Sequence, residues 1–423
     1  MPEIENRKSK TEKPLRILIV SDNFHPLIGG AEHAALESGC ALVRRGHRVD
    51  VLTMRKRPEW PAEQELSGLR VLRFDERIPP KPFGRLLYER ANAAAARRFL
   101  DRQLRDEAYD LILLHPIAAA VGAIASRAAA RAVVVYCFHA PLGREHLLSA
   151  QAELADEPSP RSPAPSLWVK FAAQRRAAQQ RAAIERANAV TCPSQYSRDL
   201  LSETVPRLGG KPVQVIPWGV DAARFCPAAD RAAVRAALGW RPDELVLLTV
   251  RRLVPRMGLG QLIRAFALAS AKRPGLRLVV GGEGPLRGHL EELARAAGGR
   301  VDFTGLVPPA DLPRHLQAAD LFMLPSLALE AFGLVTIESL ACGTPVLATR
   351  RCASPEILAP LDERLLIAST DAPVIAEAIL GPGIQVATEP GFRDRCRTYA
   401  VERYSWDRTA SAFEEVATRL RAK

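Results

Sequence analysis

Residues 324–348 read Leu324-Pro-Ser-Leu-Ala-Leu-Glu-Ala-Phe-Gly-Leu-Val-Thr-Ile-Glu-Ser-Leu-Ala-Cys-Gly-Thr-Pro-Val-Leu-Ala348. An apolar strand, Leu321 to Leu324, leads into a loop that holds Glu330, and a helix beginning at Gly333 carries Glu338. The Cys-Gly-Thr-Pro run ends this helix, because glycine caps it and proline cannot continue it. The helix start offers free N–H groups and a positive dipole end beside two carboxylates. This combination suits a ligand that carries both hydroxyl and phosphate groups, as a sugar nucleotide does.

The same stretch resembles the donor-site signature of family 4 glycosyltransferases, which are retaining enzymes of the GT-B fold. The resemblance implies that Glu330 is a catalytic-site residue near the donor sugar and that Glu338 holds the ribose hydroxyls. It also implies that the backbone of Gly333, Leu334 and Val335 meets the diphosphate or the sugar. A carboxylate suits the ribose because it accepts two vicinal hydroxyl protons. The alternative is that both glutamates are solvated side chains on a helix and the loop before it.

A second signature, Val250-Arg-Arg-Leu-Val-Pro-Arg-Met-Gly258, ends the first strand of the C-terminal half. It resembles the family pattern G-R-L-x-x-x-K-G, whose arginine and lysine grip the donor diphosphate. Arg252 matches that arginine, whereas Arg251 replaces the glycine and Met257 stands where the lysine is expected. Arg256 is the adjacent candidate for the missing charge, so Arg252 and Arg256 are the predicted catalytic cations. A solvated basic turn is the alternative.

Two weaker motifs extend the predicted donor site. Gly281-Gly-Glu-Gly-Pro285 resembles the family's G-x-G-P turn and places Gly282 in the site, although a turn after a strand favours glycine in any case. Thr304-Gly-Leu-Val307 resembles the loop whose backbone recognises the nucleobase, which implicates Val307.

The N-terminal half contributes a glycine pair and a histidine. Pro26-Leu-Ile-Gly-Gly-Ala-Glu32 resembles the family's G-G-x-E loop, in which Gly29 and Gly30 let the backbone approach the donor phosphate. It is not G-x-G-x-x-G, so NAD binding is disfavoured. His139 follows a strongly apolar strand, where this family often keeps a histidine close to the donor sugar. It is the first candidate for a catalytic histidine. His115 is the second candidate.

Short apolar strands alternate with helices throughout the chain, which predicts parallel sheets covered on both faces. We predict strands at 15–20, 49–54, 69–74, 111–114, 132–138, 189–192, 245–250, 276–281, 301–303, 321–324, 346–348 and 365–368. Helices are predicted over much of 83–107, 117–130 and 170–186, and at 31–45, 259–271, 285–297, 310–318, 333–341 and 406–421.

The predicted fold is α/β of the GT-B type, with two doubly wound Rossmann-like domains facing across a cleft. Residues 1–14 form a disordered tail, residues 15–218 an acceptor domain and residues 219–405 a donor domain. The final helix, 406–421, packs back on the first domain, as the resemblance implies. A Pro-rich loop at 157–166 has no assigned role.

Size and composition agree with this organisation. The chain has 423 residues, 48% of them hydrophobic and 25% charged, which favours two globular domains. No apolar run reaches the ~18 residues of a membrane span, and the polar N-terminus lacks a signal core, so we expect a cytoplasmic protein. The seven cysteines are scattered and never in C-x-x-C spacing, which predicts reduced thiols and no metal site. No cofactor is expected beyond the nucleotide sugar, which is a co-substrate.

The net charge of +12 is concentrated in the N-terminal half, where residues 1–218 hold 33 lysines and arginines against 24 aspartates and glutamates. This surplus favours peripheral contact with an anionic membrane, at its inner face, or a phosphorylated acceptor. Basic and aromatic residues are not interleaved, so nucleic acid is not an expected partner.

Together these features predict a retaining, metal-independent glycosyltransferase that moves a hexose from a nucleotide sugar to a hydroxyl acceptor. A UDP-sugar is the favoured donor, and a lipid-linked acceptor in envelope polysaccharide or glycolipid assembly is the favoured partner. The alternatives are a natural-product glycosyltransferase and, from another class, a non-catalytic protein that binds sugar nucleotides.

Overall fold

The computed structural model describes residues 13–27, 29–80, 84–154, 166–206 and 208–422. Almost all of the predicted tail, and the Pro-rich loop up to residue 165, lie outside the described residues. The chain divides into two compact units: residues up to 144, 170–218 and 406 onward form the first, and residues 145–169 and 219–405 form the second.

The first unit is built on an eight-stranded sheet of order β3-β4-β2-β1-β5-β6-β7-β8, parallel except for the antiparallel edge strand β3. Its strands are β1 (Arg16–Val20), β2 (Arg48–Arg55), β3 (Glu63–Leu66), β4 (Leu69–Asp75), β5 (Leu111–Leu114), β6 (Val133–Cys137), β7 (Ala189–Cys192) and β8 (Val213–Val215). The helices in this part of the chain are α1 (Gly30–Arg44), α2 (Gly84–Gln103), α3 (Ala118–Ile124), α4 (Leu142–Leu154), α5 (Leu167–Arg186) and α6 (Gln195–Thr204).

The second unit is built on a six-stranded parallel sheet of order β11-β10-β9-β12-β13-β14. Its strands are β9 (Leu245–Val250), β10 (Leu276–Gly281), β11 (Arg300–Gly305), β12 (Leu321–Leu324), β13 (Val346–Thr349) and β14 (Leu366–Ile367). Its helices are α7 (Arg231–Ala237), α8 (Leu259–Lys272), α9 (Arg287–Ala297), α10 (Leu312–Ala318), α11 (Leu334–Ala341), α12 (Ser354–Leu358), α13 (Ala372–Ala378), α14 (Ile384–Thr388) and α15 (Phe392–Arg403).

Both sheets follow from the apolar runs in the sequence. Strands β5, β10 and β12 are buried along their whole length, as expected where helices cover both faces of a parallel sheet. The predicted fold class is therefore confirmed at the level of two Rossmann-like sheets. Among the helices that the structure describes, none is both long and apolar enough to cross a bilayer.

The last helix, α16 (Trp406–Arg421), belongs to the first unit. Its Glu414 carboxylate is buried and accepts a hydrogen bond from Arg45 Nε at 2.7 Å, with His47 Nε2 also at 2.7 Å. Burial alone raises the pKa of Glu414, but the hydrogen bonds from Arg45 and His47 outweigh it, so the pKa lies below its usual value. Glu414 thereby ties the end of the chain to α1 and β2.

Some elements depart from the prediction. Strands β3 and β8 and helices α4, α6, α7 and α12 to α15 were not predicted. Helix α3 ends at Ile124 and so covers only the first half of the range 117–130, over much of which a helix was predicted. The Ser126 hydroxyl donates to the Ala123 carbonyl at 2.6 Å and accepts from Ala129 N at 3.3 Å, so local side-chain bonds favour turns over a further helical turn.

Candidate functional site

The second unit has a topological switch point between β9 and β12. From β9 the sheet continues through β10 and β11 on one side, and from β12 through β13 and β14 on the other. Ligands of such sheets bind outside the carboxyl ends of the strands at this point. The chain places the arginine motif directly after β9 and the loop with Glu330 directly after β12. The fold therefore brings the two sequence signatures together.

The arginine motif makes a tight turn against the β12 loop. A 3-10 turn at Pro255–Met257 leads to Gly258, whose φ is +71°. A Cβ on Gly258 would overlap the carbonyl oxygen of Pro325, so only glycine fits both the backbone angle and the space. Met257, which stands in place of the family's lysine, is 7% exposed and is a core residue rather than a ligand of the site.

The three arginines of this motif differ in their surroundings. Arg252 is exposed, and its side chain has no hydrogen bond or ion pair with any residue that the structure describes. Arg256 is partly buried and donates from Nη1 to the Leu329 carbonyl at 3.1 Å, with Glu145 3.9 Å from its Nη2. Arg252 is therefore a cation available to an anionic ligand, whereas Arg256 also holds the loop before Glu330.

Arg251 pairs with Glu330, a contact that the sequence did not predict. Arg251 Nη2 donates to Glu330 Oε2, and Arg251 Nη1 donates to Ser326 Oγ at 2.6 Å. The Ser326 hydroxyl in turn donates to Glu330 Oε2 at 3.2 Å. Burial lowers the pKa of Arg251, against the raising effect of Glu330, but a guanidinium stays protonated at neutral pH. Glu330 is thus a member of a partly buried ion pair rather than a solvated carboxylate.

Backbone contacts fix the loop that carries Glu330. Leu327 N donates to the Arg256 carbonyl at 2.8 Å, and Thr349 Oγ1 donates to the Ser326 carbonyl at 2.6 Å. Leu329 has a φ of +54°, a left-handed conformation that is costly for a leucine. Strain of this kind persists only where the surroundings hold the backbone, as the Arg256 side chain does at the Leu329 carbonyl.

Helix α11 begins where the predicted phosphate contacts lie. Gly333, with a φ of +78°, is its N-cap, and Leu334 and Val335 are its first residues. The first N–H groups of a helix have no acceptor within the helix, and the dipole favours an anion there. Glu338 lies one turn further on and is 6% exposed. The structure thus places these four predicted residues on one short helix, while their ligand contacts stay predictions.

The turn after β10 packs on the arginine motif. A Cβ on Gly282 would overlap the Arg251 carbonyl, and one on Gly284 would overlap the Leu253 carbonyl. A Cβ on Gly281 would lie 2.8 Å from a methyl group of Val307, which is buried. These glycines are therefore explained by close packing between two motif loops. That Gly282 or Val307 also meets the ligand stays a prediction.

The first unit has its own switch point, between β1 and β5. Gly29 is the N-cap of α1 with an extended backbone, and Gly30 begins the helix. A Cβ on Gly29 would meet only the end of the flexible Glu32 side chain, and a Cβ on Gly30 would meet nothing within 4 Å. Packing inside this unit therefore does not require either glycine, and their approach to a donor phosphate stays a prediction.

The two candidate histidines contact each other in the first unit. His115 follows β5, His139 follows β6, and His115 Nδ1 lies 2.9 Å from His139 Nε2. Trp218 also packs against His139, with 5.4 Å between ring centroids. Burial lowers the pKa of His139 to about 4 and that of His115 well below its usual value. Both rings are neutral at pH 7, so one nitrogen of this contact donates and the other accepts.

A small cavity adjoins this histidine pair. His115 Nε2 and His139 Nδ1 have no hydrogen-bond partner among the described residues. The cavity of about 20 Å³ beside them is lined by Ser38, Thr191 and Thr409, among others. A space of this size holds about one water molecule. His139 can therefore donate or accept a hydrogen bond, but it does not offer a positive charge at neutral pH.

The thiols match the prediction of reduced cysteines. All seven are free, and burial raises the pKa of the Cys137 and Cys192 thiols to about 12, which makes them unreactive. Within the described ranges, no group of three His, Cys, Asp or Glu side chains gathers as a metal-ligand set.

Comparison with known proteins gives two family matches that together span most of the chain. Residues 28–224 match the family described as Glycosyltransferase Family 4, and residues 230–403 match the glycosyl transferases group 1. The boundary between the two matches falls shortly after the first unit gives way to the second.

Individual relatives cover nearly the full length. The chain is 30% identical to a D-inositol 3-phosphate glycosyltransferase of Actinosynnema mirum, over 94% of this chain and 95% of the relative. It is 28% identical to a GDP-mannose-dependent α-(1-6)-phosphatidylinositol monomannoside mannosyltransferase of Mycolicibacterium smegmatis, over 86% of this chain and 88% of the relative. Among solved structures, sucrose-phosphate synthase of Thermosynechococcus elongatus aligns with a TM-score of 0.76 at 23% identity, covering 96% of this chain and 99% of that one. At that identity the alignment shows a shared fold, the GT-B fold.

Proposed function

Because the chain belongs to glycosyltransferase family 4 and is a glycosyltransferase, we propose that it transfers a hexose, with retention and without a metal ion, from a nucleoside diphosphate sugar to an inositol-containing acceptor. The observation that carries the donor part is the switch point of the second unit. There the exposed Arg252, which pairs with no described residue, follows β9, and the Glu330 carboxylate and the start of α11 follow the neighbouring strand β12.

The chemistry follows from the charge that develops on the leaving group. When the glycosidic bond breaks, the nucleoside diphosphate gains negative charge, which Arg252, Arg256 and the N–H groups at Leu334 and Val335 stabilise. Such fixed donors supply the electrostatic stabilisation that other transferases obtain from a metal ion. Activity unchanged in excess EDTA supports this proposal, and a loss restored by Mg²⁺ overturns it.

Retention follows if the acceptor enters on the face that the diphosphate leaves. An oxygen of the diphosphate then takes the proton of the acceptor hydroxyl, so no protein nucleophile is needed. The measurement is the anomeric configuration of the product by NMR: an α-linked product from an α-linked donor agrees with the proposal, and a β-linked one contradicts it.

The relatives' names guide the choice of donor and acceptor. GDP-mannose is specified for the Mycolicibacterium relative, so we propose GDP-mannose as the donor in preference to the UDP-sugar predicted from the sequence. Inositol occurs in both relatives' names, which favours phosphatidylinositol or inositol phosphate as the acceptor core. Release of GDP or UDP from a panel of donors, with and without each acceptor, tests both choices. Release from no donor contradicts the proposed activity.

A lipid acceptor implies contact with a membrane, and helix α5 has a suitable end. Leu167 is 83% exposed, Trp168 74% and Phe171 45%, and Lys170 lies among them. Exposed aromatic and basic side chains favour the interface of an anionic bilayer. Co-sedimentation with phosphatidylinositol vesicles should fall for Trp168→Ala. The matched control is Leu306→Ala, which removes a side chain that is 70% exposed in the second unit and should leave binding unchanged.

A further inference from the structure

We propose that Arg251 determines which donor sugar the site accepts, by fixing the orientation of the Glu330 carboxylate. The proposal rests on the proposed function and deepens it. The pair lies at the carboxyl ends of β9 and β12, at the switch point where ligands of such sheets bind. Arg251 is also the motif position at which this chain departs from the glycine of the family pattern.

The contacts leave one side of Glu330 occupied and the other open. Arg251 Nη2 and Ser326 Oγ both donate to Oε2. Oε1 receives no hydrogen bond from any residue within the described part of the chain. The Glu330 side chain is 15% exposed. Oε1 is therefore the oxygen that a ligand can reach.

Arg251 and Ser326 act together as a clamp. The Arg251 side chain is 4% exposed and reaches both Ser326 Oγ, at 2.6 Å, and Glu330. On the backbone side, Arg256 holds the carbonyl of Leu329, the residue before Glu330. Because the carboxylate is held at Oε2 and at the adjoining backbone, it cannot rotate without breaking these bonds.

A fixed carboxylate is more selective among sugar hydroxyls than a mobile carboxylate. A mobile carboxylate can turn both oxygens toward whichever vicinal hydroxyls a sugar presents. The clamped Glu330 offers one oxygen at one position, so it accepts a hydrogen bond from one particular sugar hydroxyl. A site built to bond a specific hydroxyl discriminates against donors that lack or invert it. The loss of one hydrogen bond to a charged group corresponds to roughly a 10- to 100-fold change in affinity.

The chemical class of ligand also follows from the charge of the pair. Arg251 and Glu330 neutralise each other, so the clamp adds no net charge to the site. A neutral hexose fits beside Oε1, whereas a sugar that carries a carboxylate places two acceptors against each other. The inferred donor is therefore a neutral hexose with a free hydroxyl at the position that Oε1 contacts.

The test compares donors that each lack one sugar hydroxyl. Calorimetric dissociation constants and kcat/KM are measured for GDP-mannose or UDP-glucose, whichever the wild type binds, and for its 2-, 3-, 4- and 6-deoxy analogues. The wild type should show one analogue weakened roughly 10- to 100-fold. Arg251→Met keeps the length of the side chain without its charge. By the logic of a double-mutant cycle, this variant should bind that analogue no more than about threefold more weakly than the parent donor.

Two further variants keep the test decisive. Ser326→Ala removes the second donor to Glu330 Oε2 without leaving an unpaired buried charge, and it should also reduce the penalty for the weakened analogue. It therefore serves as the test if Arg251→Met does not fold. Arg350→Met removes an arginine from the exposed Arg350–Glu363 pair of the same unit and should leave the penalty as in the wild type.

The outcomes separate the two proposals. Nucleotide-sugar binding with the same deoxy penalties in the wild type, Arg251→Met and Ser326→Ala overturns the role of Arg251 alone. The role of Arg251 is also overturned if the wild type binds and uses every deoxy analogue as well as the parent donor. A wild type that neither binds nor cleaves any nucleotide sugar contradicts the proposed function itself.

Discussion

Replacing Arg252 with alanine separates ligand binding from folding more cleanly than any other change at the switch point. Arg252 is exposed and makes no hydrogen bond or ion pair with the described residues, whereas the adjacent Arg251 is buried and paired. Arg252→Ala therefore removes a cation without leaving any partner unsatisfied. We expect the variant to fold normally and to fail in turnover.

The magnitudes follow from these surroundings. Surface substitutions away from specific contacts usually change stability by no more than about 0.5 kcal/mol. Loss of one donor to the charge that develops in the transition state costs about 2.7–4 kcal/mol, a factor of roughly 10² to 10³ in kcat. Because Arg256 supplies a second cation in the same motif, we expect the lower end of this range, a loss of about 100-fold.

The assay is initial-rate release of the nucleoside diphosphate, paired with a urea unfolding curve for each variant. Arg273→Ala is the matched control, because Arg273 is also exposed in the second unit. It precedes β10 and so lies at the amino ends of the strands, opposite the candidate site. Arg252→Lys should recover part of the rate, since it restores a point charge without the bidentate fork. A kcat for Arg252→Ala within threefold of the Arg273→Ala value, with both proteins folded, would refute this account of the site.

Three further perturbations test other parts of the molecule. Glu338→Gln should weaken nucleotide binding roughly 10- to 100-fold in a calorimetric titration; unchanged affinity contradicts its ribose role. Glu414→Ala should cost about 3–5 kcal/mol at pH 7, because it leaves the buried Arg45 guanidinium without its carboxylate partner. Equal urea midpoints of wild type and variant at pH 7 would contradict this cost. Since the pKa of Glu414 is lowered, its contribution is lost as pH falls below about 4.5, and the difference between the two proteins should shrink there. Burial lowers the pKa of His139 to about 4, so the unfolded state binds a proton at this residue before the folded state does. The free energy of unfolding of the wild type should therefore fall by about 3 kcal/mol as the pH is lowered from 6.5 to 4. His139→Gln should be less sensitive to pH over that range, and an identical pH dependence refutes this.

The sequence predicted elements best where one physical signal dominated. Strands β9, β10 and β12 have the predicted bounds because each is a mostly apolar segment in a sheet that helices cover on both faces. Strand β3 was missed because its Glu-Gln-Glu-Leu sequence is charged and lies at the sheet edge, where pairing with β4 rather than burial defines it. Helix α3 was overestimated because alanine-rich spacing continues past Ile124, while the Ser126 side chain stabilises turns.

The residues of the candidate site could be proposed from the sequence, and their roles stay predictions, but the pairings between them could not. The motif residues Arg252, Gly333 and Glu338 could be named from spacing and resemblance. The Arg251–Glu330 pair could not, because it joins positions 79 residues apart through the adjacency of β9 and β12, which no local pattern encodes. Arg251 was visible in advance only as a departure from the motif. The contact between His115 and His139 likewise depends on the order of β5 and β6 in the sheet.

The most direct measurement of the central claim is a calorimetric titration of GDP-mannose, GDP and UDP into the wild type, Arg252→Ala and Glu338→Gln. If the switch point of the second unit binds the donor through its diphosphate and ribose, the wild type binds at least one of these ligands saturably. Both variants then bind it at least tenfold more weakly. Absence of binding to the wild type, or affinities that neither substitution changes, would contradict the claim.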